Sequence, residues 1–422
     1  MTYQEALDFL YPLHRFGIKP GLDRVRSLLD LAGSPQKRLG LVVHIAGTNG
    51  KGSVAAALAS IFQAAGKKCA LYTSPHLVDF TERIRINGCQ IPRERVAYYC
   101  SLLNDSILEN HATFFEATTA IAFAWFADEG VDVSIIETGM GGRLDATNVV
   151  DSDYALITTI ALDHTDWLGE TLALIAAEKA AIIKPKSKVF TAVTEPEAFR
   201  AIEQMAEECN APLFVAGKDS SCQFTSVEPG MVEFELTTAF RHYSALKAPL
   251  TGLFHSSTLS LAVMVAEHAG IAPEYIAAGL EGLLQTGYRA RLERIGTHPA
   301  LFLDVSHNPD GMRATVNTLC LFRHRYRRMH VLLGLASDKD ARAIIRELLR
   351  LDGTFVLVNI PSERSVPAET LGSLCIEEGG EAKVCTTGRE GLAYLLEKAD
   401  ADDVILVTGS FYLAGDLLAA ET

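Results

Sequence analysis

The chain is poor in everything that would place it outside the cell or in a membrane. Its eight cysteines are scattered and none forms a C-x-x-C pair, so neither a disulfide framework nor a cysteine zinc site is expected, and reduced thiols in the cytoplasm fit best. No apolar run is long enough to cross a bilayer. The opening segment MTYQEALDFLYPLHRFG lacks a basic stretch followed by an apolar core and a cleavage site; it reads as an amphipathic helix, not a signal peptide. Basic residues are in deficit, with 38 Lys and Arg against 52 Asp and Glu and a net charge of -14. That balance excludes general nucleic-acid or membrane-surface binding, which needs a basic footprint, but leaves room for a local anion pocket. Internal repeats, low-complexity segments and any Ser-His-Asp or Cys-His arrangement are also missing.

What is present is length and alternation. The 422 residues, 48% of them hydrophobic, exceed one ordinary core and imply two domains. Short apolar runs at 41–46, 69–73, 133–137, 155–160 and 189–192 alternate with helical patterns such as 53–65 and 171–183. This pattern predicts an α/β fold with a mostly parallel sheet and helices on both faces. A second unit with strands at 301–305, 330–333, 355–358 and 404–407 follows, with the boundary placed near Gly296. Residues 218–250 alternate like antiparallel strands and are expected to form a small β-hairpin layer on the first domain.

In parallel sheets ligands gather beyond the carboxyl ends of the strands, and the polar clusters of this chain fall there. After the first strand comes Gly47-Thr48-Asn49-Gly50-Lys51-Gly52-Ser53, opening a helix. Glycines in such a turn let backbone N–H groups face an anion, and the helix N-terminus adds the positive end of its dipole. Lys51 is placed to reach a terminal phosphate and Ser53 to offer a hydroxyl to Mg²⁺. The spacing departs from G-x-x-x-x-G-K-[ST]: Ile45 stands where that pattern has glycine, and Gly52 separates the lysine from the serine. Glu137 ends the strand VDVSIIE, Ser74 lies in TSPHL and His164 in DHTDWLG. Any one of these would pass as a turn or surface residue; together, at one sheet edge, they point to a metal site.

The segments HIAGTNGKGS, YTSPHLVDFTERIRING, TFFEATTAIAF, ETGMGGRLDATN, IALDHTDWLG, EKAAIIK, LDVSHNPDG, SDKD and VTGSFYL stand in this order. In this the chain resembles the folylpolyglutamate synthases, including the bifunctional bacterial dihydrofolate synthases, of the Mur ligase superfamily. The resemblance runs from about residue 3 to about residue 415. It implies a two-domain ligase, with an ATP- and folate-binding Mur ligase central domain over 1–295 and a smaller Rossmann-like glutamate ligase domain over 296–422. It also implies a reaction: ATP phosphorylates the carboxylate of a folate or of dihydropteroate, and the amine of L-glutamate attacks the acyl phosphate.

Carried over motif by motif, Gly47 to Ser53 wrap the ATP phosphates, joined by Arg291, Asp304 and His307. Ser53, Ser74, Glu137 and His164 hold magnesium at two sites, and a monovalent cation is a further candidate. Ile18, Lys19, Pro20, Thr113, Phe115, Leu144, Asp145 and Ala146 form the pterin pocket. Lys51, Glu137, His164 and Lys179 carry the chemistry, with Lys179 matching a lysine that is carbamylated by CO₂. Lys179 lies seven residues after Leu172 and four after Ile175, on a face expected to pack inward, where low dielectric lowers a lysine's pKa; its alternative is an ion pair with Glu178 or Asp163. The resemblance further implies small-molecule substrates, no nucleic-acid or membrane partner, and a cytoplasmic monomer.

Departures from the family pattern are local. Phe254, His255 and Thr258 replace a histidine, a glutamine and an asparagine that contact the nucleotide base; Ala290 replaces a glycine, and Val305 and Ser306 a glycine and an alanine. The base contacts are therefore expected to differ. Another Mur-type amide ligase is the alternative within enzymes, against which TSPHL and TFFE speak. A nucleotide switch should carry N-K-x-D, which is missing, and a non-catalytic homologue is the third alternative.

Overall fold

The computed structural model describes residues 1–17 and 19–419. Eight strands form the first sheet: β1 (Leu41–Ala46), β2 (Cys69–Tyr72), β3 (Ile84–Ile86), β4 (Cys89–Gln90), β5 (Val133–Glu137), β6 (Tyr154–Ile157), β7 (Lys188–Thr191) and β8 (Leu213–Val215). Their order is β4-β3-β2-β5-β1-β6-β7-β8. The pairs from β2 to β8 are parallel, whereas β3 and β4 close one edge antiparallel. Central strands covered on both faces must be apolar throughout, and LVVHIA, VSIIE and YALI are nearly so. The chain leaves β1 toward β2 on one side and returns through β6 on the other. The loop after β1 therefore lies between the ends of β5 and β6, where the strand order reverses.

The helix Lys51–Ala64, which that loop opens, is buried from Ser53 to Phe62 on all sides. A helix this apolar around its circumference belongs inside a layered fold. The helix Phe114–Glu129 is likewise enclosed, and Phe80, Phe114, Phe123 and Tyr72 pack in the same core.

Three further strands, β9 (Ser220–Glu228), β10 (Met231–Thr238) and β11 (His242–Ala248), form a small sheet in the order β11-β10-β9. The expected hairpin layer thus has a third strand. It is also not a possession of the first domain alone. The contacts divide the chain into one compact unit of Met1–Gln223, Glu235–Leu246 and Ser257–Tyr288, and another of Phe224–Phe234, Lys247–Ser256 and Arg289–Thr422.

The second unit holds a six-stranded sheet, ordered β12-β13-β17-β14-β15-β16. Its strands are β12 (Glu293–Thr297), β13 (Ala300–Leu303), β14 (Met329–Leu333), β15 (Thr354–Asn359), β16 (Ala382–Thr387) and β17 (Val404–Thr408). Only β12 runs antiparallel. Because Glu293–Thr297 pairs with β13, this unit takes in residues before position 296. Phe302, Val331, Leu357 and Leu406 from the sheet and Met312, Ile345 and Leu371 from helices build its core. No helix among the described residues is long and apolar enough to cross a membrane.

Candidate active site

The loop after β1 is braced by the segment after β6. Thr48 N donates to Thr159 O at 2.7 Å, and Asn49 N to Thr159 Oγ1 at 3.0 Å. In return, Thr158 Oγ1 donates to Asn49 O at 2.7 Å. Thr48 Oγ1 donates to Ala161 O at 3.2 Å and accepts from Ala161 N at 3.1 Å. The fit requires glycine at position 47, since φ is 150° there and a Cβ would lie 1.9 Å from Thr158 Oγ1. Lys51, the first residue of the helix, turns its Nζ back to Gly47 O at 3.1 Å and Thr48 O at 3.3 Å. Backbone N–H groups at a helix N-terminus with a lysine alongside make a phosphate cradle.

Lys179 enters the same place from the helix Leu172–Ala180. It is buried, and its Nζ donates to Gly47 O at 3.0 Å. Burial, and then the charge of Lys51, push its pKa down to about 7, against an opposite pull from Asp163 and Asp145. The alternative pairing with Glu178 is not made, because that carboxylate accepts from Arg143 Nε at 2.9 Å.

On the other side of β1, Glu137 ends β5 and is 5% exposed. Its Oε2 accepts from Ser74 N at 3.2 Å, joining two of the expected metal residues. Next to it, Thr138 Oγ1 is buried with no hydrogen-bond partner, a polar atom oriented without a mate in the protein. His164 is exposed and takes a left-handed backbone, φ 53°, at the start of the turn Thr165–Leu168; its Nε2 is 3.9 Å from Asp163 Oδ1. Ser53 Oγ is paired with Tyr288 Oη at 2.8 Å, a partner that no local pattern announced. Among the described residues no group of three or more His, Cys, Asp and Glu side chains forms a metal cage. The Glu137 carboxylate and the hydroxyls are oxygen donors of the kind Mg²⁺ takes, with waters and substrate phosphates completing its octahedron, whereas the His164 imidazole is a nitrogen donor that Mg²⁺ does not favour.

The acceptor side is built on a capping box. Thr113 caps the helix Phe114–Glu129, with Glu116 Oε2 accepting from Thr113 N at 2.8 Å. Glu116 also binds Arg24 Nη2 at 3.0 Å, and Arg24 in turn donates to Lys19 O, so that Lys19 and Pro20 are tied to Thr113. Arg24 and Glu116 were not singled out in the sequence, although T-x-x-E before an apolar run is a readable signal. Phe115 lays its ring against Gly139, where a Cβ would fall 2.6 Å from it. Leu144 is 36% exposed, while Asp145 and Ala146 are buried. Ile18 lies outside the described residues.

In the second unit, Asp304 is buried and accepts from Leu292 N, Ser306 N and Thr315 Oγ1 at 3.0, 3.1 and 2.9 Å. Arg291 places its guanidinium 4.8 Å above the ring of Phe411, and the His307 ring lies 5.9 Å from the same phenylalanine. Phe411 thus gathers two of the predicted residues at the carboxyl ends of β13 and β17, a role its sequence neighbours did not reveal. His255 is fully buried, and neither ring nitrogen has a hydrogen-bond partner. Burial, and then the Arg291 charge, bring its pKa down to about 3.

Known proteins with this organisation are ligases. The Mur ligase middle domain family matches residues 45–266, and the family described as Mur ligase, glutamate ligase domain matches residues 290–411. Dihydrofolate synthase/folylpolyglutamate synthase of Bacillus subtilis is 32% identical over 430 residues, covering 99% of this chain and 98% of its own. The structure of E. coli FolC in complex with DHPP and ADP superposes with a TM-score of 0.89 at 29% identity, over 100% of this chain and 98% of that one. The bifunctional folylpolyglutamate synthase/dihydrofolate synthase of Yersinia pestis, complexed with AMPPNP and Mn ion, gives a TM-score of 0.86 at 29% identity over the same shares.

Proposed function

The chain belongs to the dihydrofolate synthase/folylpolyglutamate synthase family of Mur ligases, and from that premise we propose how its residues divide the work of an ATP-dependent glutamate ligase. The observation that carries the reading is the convergence of Lys51 and Lys179 on Gly47 O, with Glu137 at the end of the adjacent strand.

A carboxylate is a poor electrophile in water, and phosphorylation gives it a leaving group. The transfer requires placement and charge neutralisation more than a protein nucleophile. Residues 47–53 wrap the triphosphate, with N–H groups at the helix N-terminus facing it while those of Thr48 and Asn49 stay on Thr159, and Lys51 neutralises the transferred phosphoryl group. Glu137, Ser74, Ser53 and His164 would hold Mg²⁺, which when bound would withdraw charge from the phosphate oxygens. Phe115, Thr113, Lys19, Pro20, Leu144, Asp145 and Ala146 seat the pteroate or folate so that its terminal carboxylate faces the γ-phosphate. The free amine of L-glutamate then attacks the acyl phosphate, an amide forms, and phosphate and ADP leave.

The first unit, up to Tyr288, serves ATP and the acceptor in this reading, and the second, from Arg289 to Thr422, serves glutamate. Arg291, Asp304 and His307 contact the nucleotide. Lys179, buried and with its ammonium form disfavoured, takes up CO₂ as a carbamate. The protein works as a cytoplasmic monomer on both dihydropteroate and reduced folates.

The test is a coupled ADP-release assay with dihydropteroate or a reduced folate, each with and without L-glutamate. ADP release is expected only when Mg²⁺, a carboxylate acceptor and glutamate are all present. Equal turnover with the acceptor omitted would sink the ligase reading and favour a nucleotide-hydrolysing homologue.

A further inference from the structure

Beneath the loop that follows β5, three buried side chains from two separate segments form one hydrogen-bonded chain. His44, in the middle of β1, places its Nε2 2.8 Å from Thr147 Oγ1. Thr147 Oγ1 lies 2.5 Å from Asp145 Oδ1, and Thr147 N donates to the same oxygen at 3.0 Å. The other oxygen of Asp145 accepts from Gly139 N at 2.8 Å and Met140 N at 2.9 Å. His44 and Thr147 are fully buried and Asp145 nearly so.

The protons of this chain can be assigned. Backbone N–H groups only donate, so Asp145 accepts on both oxygens, as a carboxylate does. Burial raises its pKa, and the Thr147 hydroxyl and three N–H groups oppose that rise without cancelling it. Thr147 has one hydroxyl proton, and the carboxylate takes it. The hydroxyl oxygen must then accept from His44, which fixes the imidazole as the Nε2–H tautomer. Its Nδ1, buried and without a hydrogen-bond partner, carries the lone pair. A second proton there would be a buried charge, and burial together with Lys184 holds the imidazole's pKa at about 3.

The turn that Asp145 holds is placed between the parts of the site. Gly139 and Met140 come directly after Glu137 and Thr138. Gly139 bears the ring of Phe115, and Arg143 N and Asn148 Nδ2 tie the far end of the loop to Glu178 O at 2.8 Å and Ala181 O at 3.3 Å, on either side of Lys179. We propose that His44 is a positioning residue for the ligation: through Thr147 it fixes Asp145 and the Gly139–Met140 turn, and so sets the spacing between the acceptor seat at Phe115 and the phosphoryl-transfer groups Glu137 and Lys179. This deepens the reading of the site as a folate–glutamate ligase and rests on it.

His44 itself is buried in the middle of the central strand β1 and reaches the site through Thr147, so its loss should act on the acceptor rather than on ATP. Thr147→Val removes the hydroxyl at constant shape, Thr147→Ser keeps it, and His44→Leu removes the donor. Thr147→Val and His44→Leu should each lower kcat/KM for the folate acceptor by about a hundredfold, the usual effect of a misplacement near 1 Å, while the KM for ATP moves less than about threefold. Thr147→Ser should recover most of the loss. Because His44 and Thr147 act as one unit, the double variant should be little worse than either single one. Acceptor and ATP constants falling together, without rescue by serine, would mark a merely structural role and overturn the proposal.

A second measurement does not depend on turnover. In ¹⁵N-imidazole NMR of the wild-type protein, His44 should show a protonated Nε2 and a bare Nδ1 unchanged from pH 5 to 9. In Thr147→Val the exchange-protected Nε2–H should be lost. A protonated Nδ1 in the wild type overturns the chain of bonds. A correct tautomer in a protein with no acceptor-dependent ADP release would instead count against the ligase reading alone.

Discussion

Lys51 and Lys179 donate to one acceptor: the carbonyl oxygen of Gly47 lies 3.1 Å from one Nζ and 3.0 Å from the other. Two amines meeting at a single carbonyl lie within reach of their own repulsion. The burden falls on Lys179, the more buried of the two, whose ammonium form is already disfavoured at neutral pH.

The cost of that arrangement should be visible in stability. Unfolded, Lys179 keeps its proton up to about pH 10.4; folded, it releases it near 7. Between these values the unfolded state binds more protons, so stability rises with pH, and the penalty is complete only below about 7. Lys179→Met should therefore melt higher than wild type at pH 7, with the advantage shrinking toward pH 10 by at most about 1.4 kcal/mol per unit. Thermal melts across that range check it; an advantage that grows with pH contradicts the assignment.

The same lysine should be required for turnover. Lys179→Ala is expected to lose activity in the ADP-release assay, and a short carboxylic acid added to the buffer should restore part of it by standing in for the carbamate. No rescue by acetate or propionate over a wide concentration range would speak against a carboxylated lysine.

Lys51→Ala removes one fixed charge from the phosphoryl-transfer site and should cost about 3–4 kcal/mol of transition-state stabilisation, a factor of several hundred in kcat, with circular dichroism unchanged. Glu137→Gln keeps an acceptor for Ser74 N but strips the carboxylate from the metal set, and should be comparably severe. Activity within a few-fold of wild type in either variant refutes this site.

The imidazole of His255 is buried without a hydrogen-bond partner, at the position where the family resemblance implies an amide that reads the base. Neutral imidazole offers one donor and one acceptor and lacks an amide's two-pronged geometry. ATP, GTP and ITP should therefore support ligation with kcat/KM values within about tenfold of one another. Strict use of ATP, with GTP and ITP inert, would overturn that expectation.

In the second unit Asp403 is fully buried, accepts from Asp400 N at 2.9 Å, and has His330 Nε2 at 3.3 Å. Burial opposes its ionisation, but the Asp400 N–H, His330 and the Arg327 charge together hold its pKa below the usual carboxylate value. A depressed carboxylate pKa adds stability above the unfolded value, near 4, which is lost as pH falls through the folded one. Asp403→Asn should destabilise by about 1–3 kcal/mol at pH 7, and the gap should close toward pH 3. A gap independent of pH in urea titrations would exclude the ionic contribution.

The strands β1 and β5 were legible to the residue because apolar, β-branched runs ending in glycine or a carboxylate leave little choice. The apolar run 155–160 predicts a strand that continues past β6, which stops at Ile157. Thr158 and Thr159 have strand-forming side chains, but their hydroxyls are drawn away to Asn49, a long-range demand no local pattern encodes. The strands β3, β4, β8, β12 and β16, at or next to sheet edges, are not signalled by the sequence because they are short or polar; AKVCTT, for example, has no buried residue. At the candidate site, the placement of the loop and of Glu137 at a strand end and the inward face of Lys179 follow from motif and helical spacing. Tyr288, Phe411 and Arg24 were not, since each acts through a partner distant in sequence.

The threonine brace on residues 47–49 also bears on how fast nucleotide can be taken up. A glycine-rich loop left loose would have to be ordered by each arriving phosphate, and that ordering would be subtracted from affinity on every cycle. Here Thr158, Thr159 and Ala161 hold the loop through six hydrogen bonds that need no ligand. The conformational entropy is spent once, when the chain folds. Nucleotide arrival then becomes docking onto a set surface, so the association rate should follow diffusion and ionic strength rather than a loop-closing step.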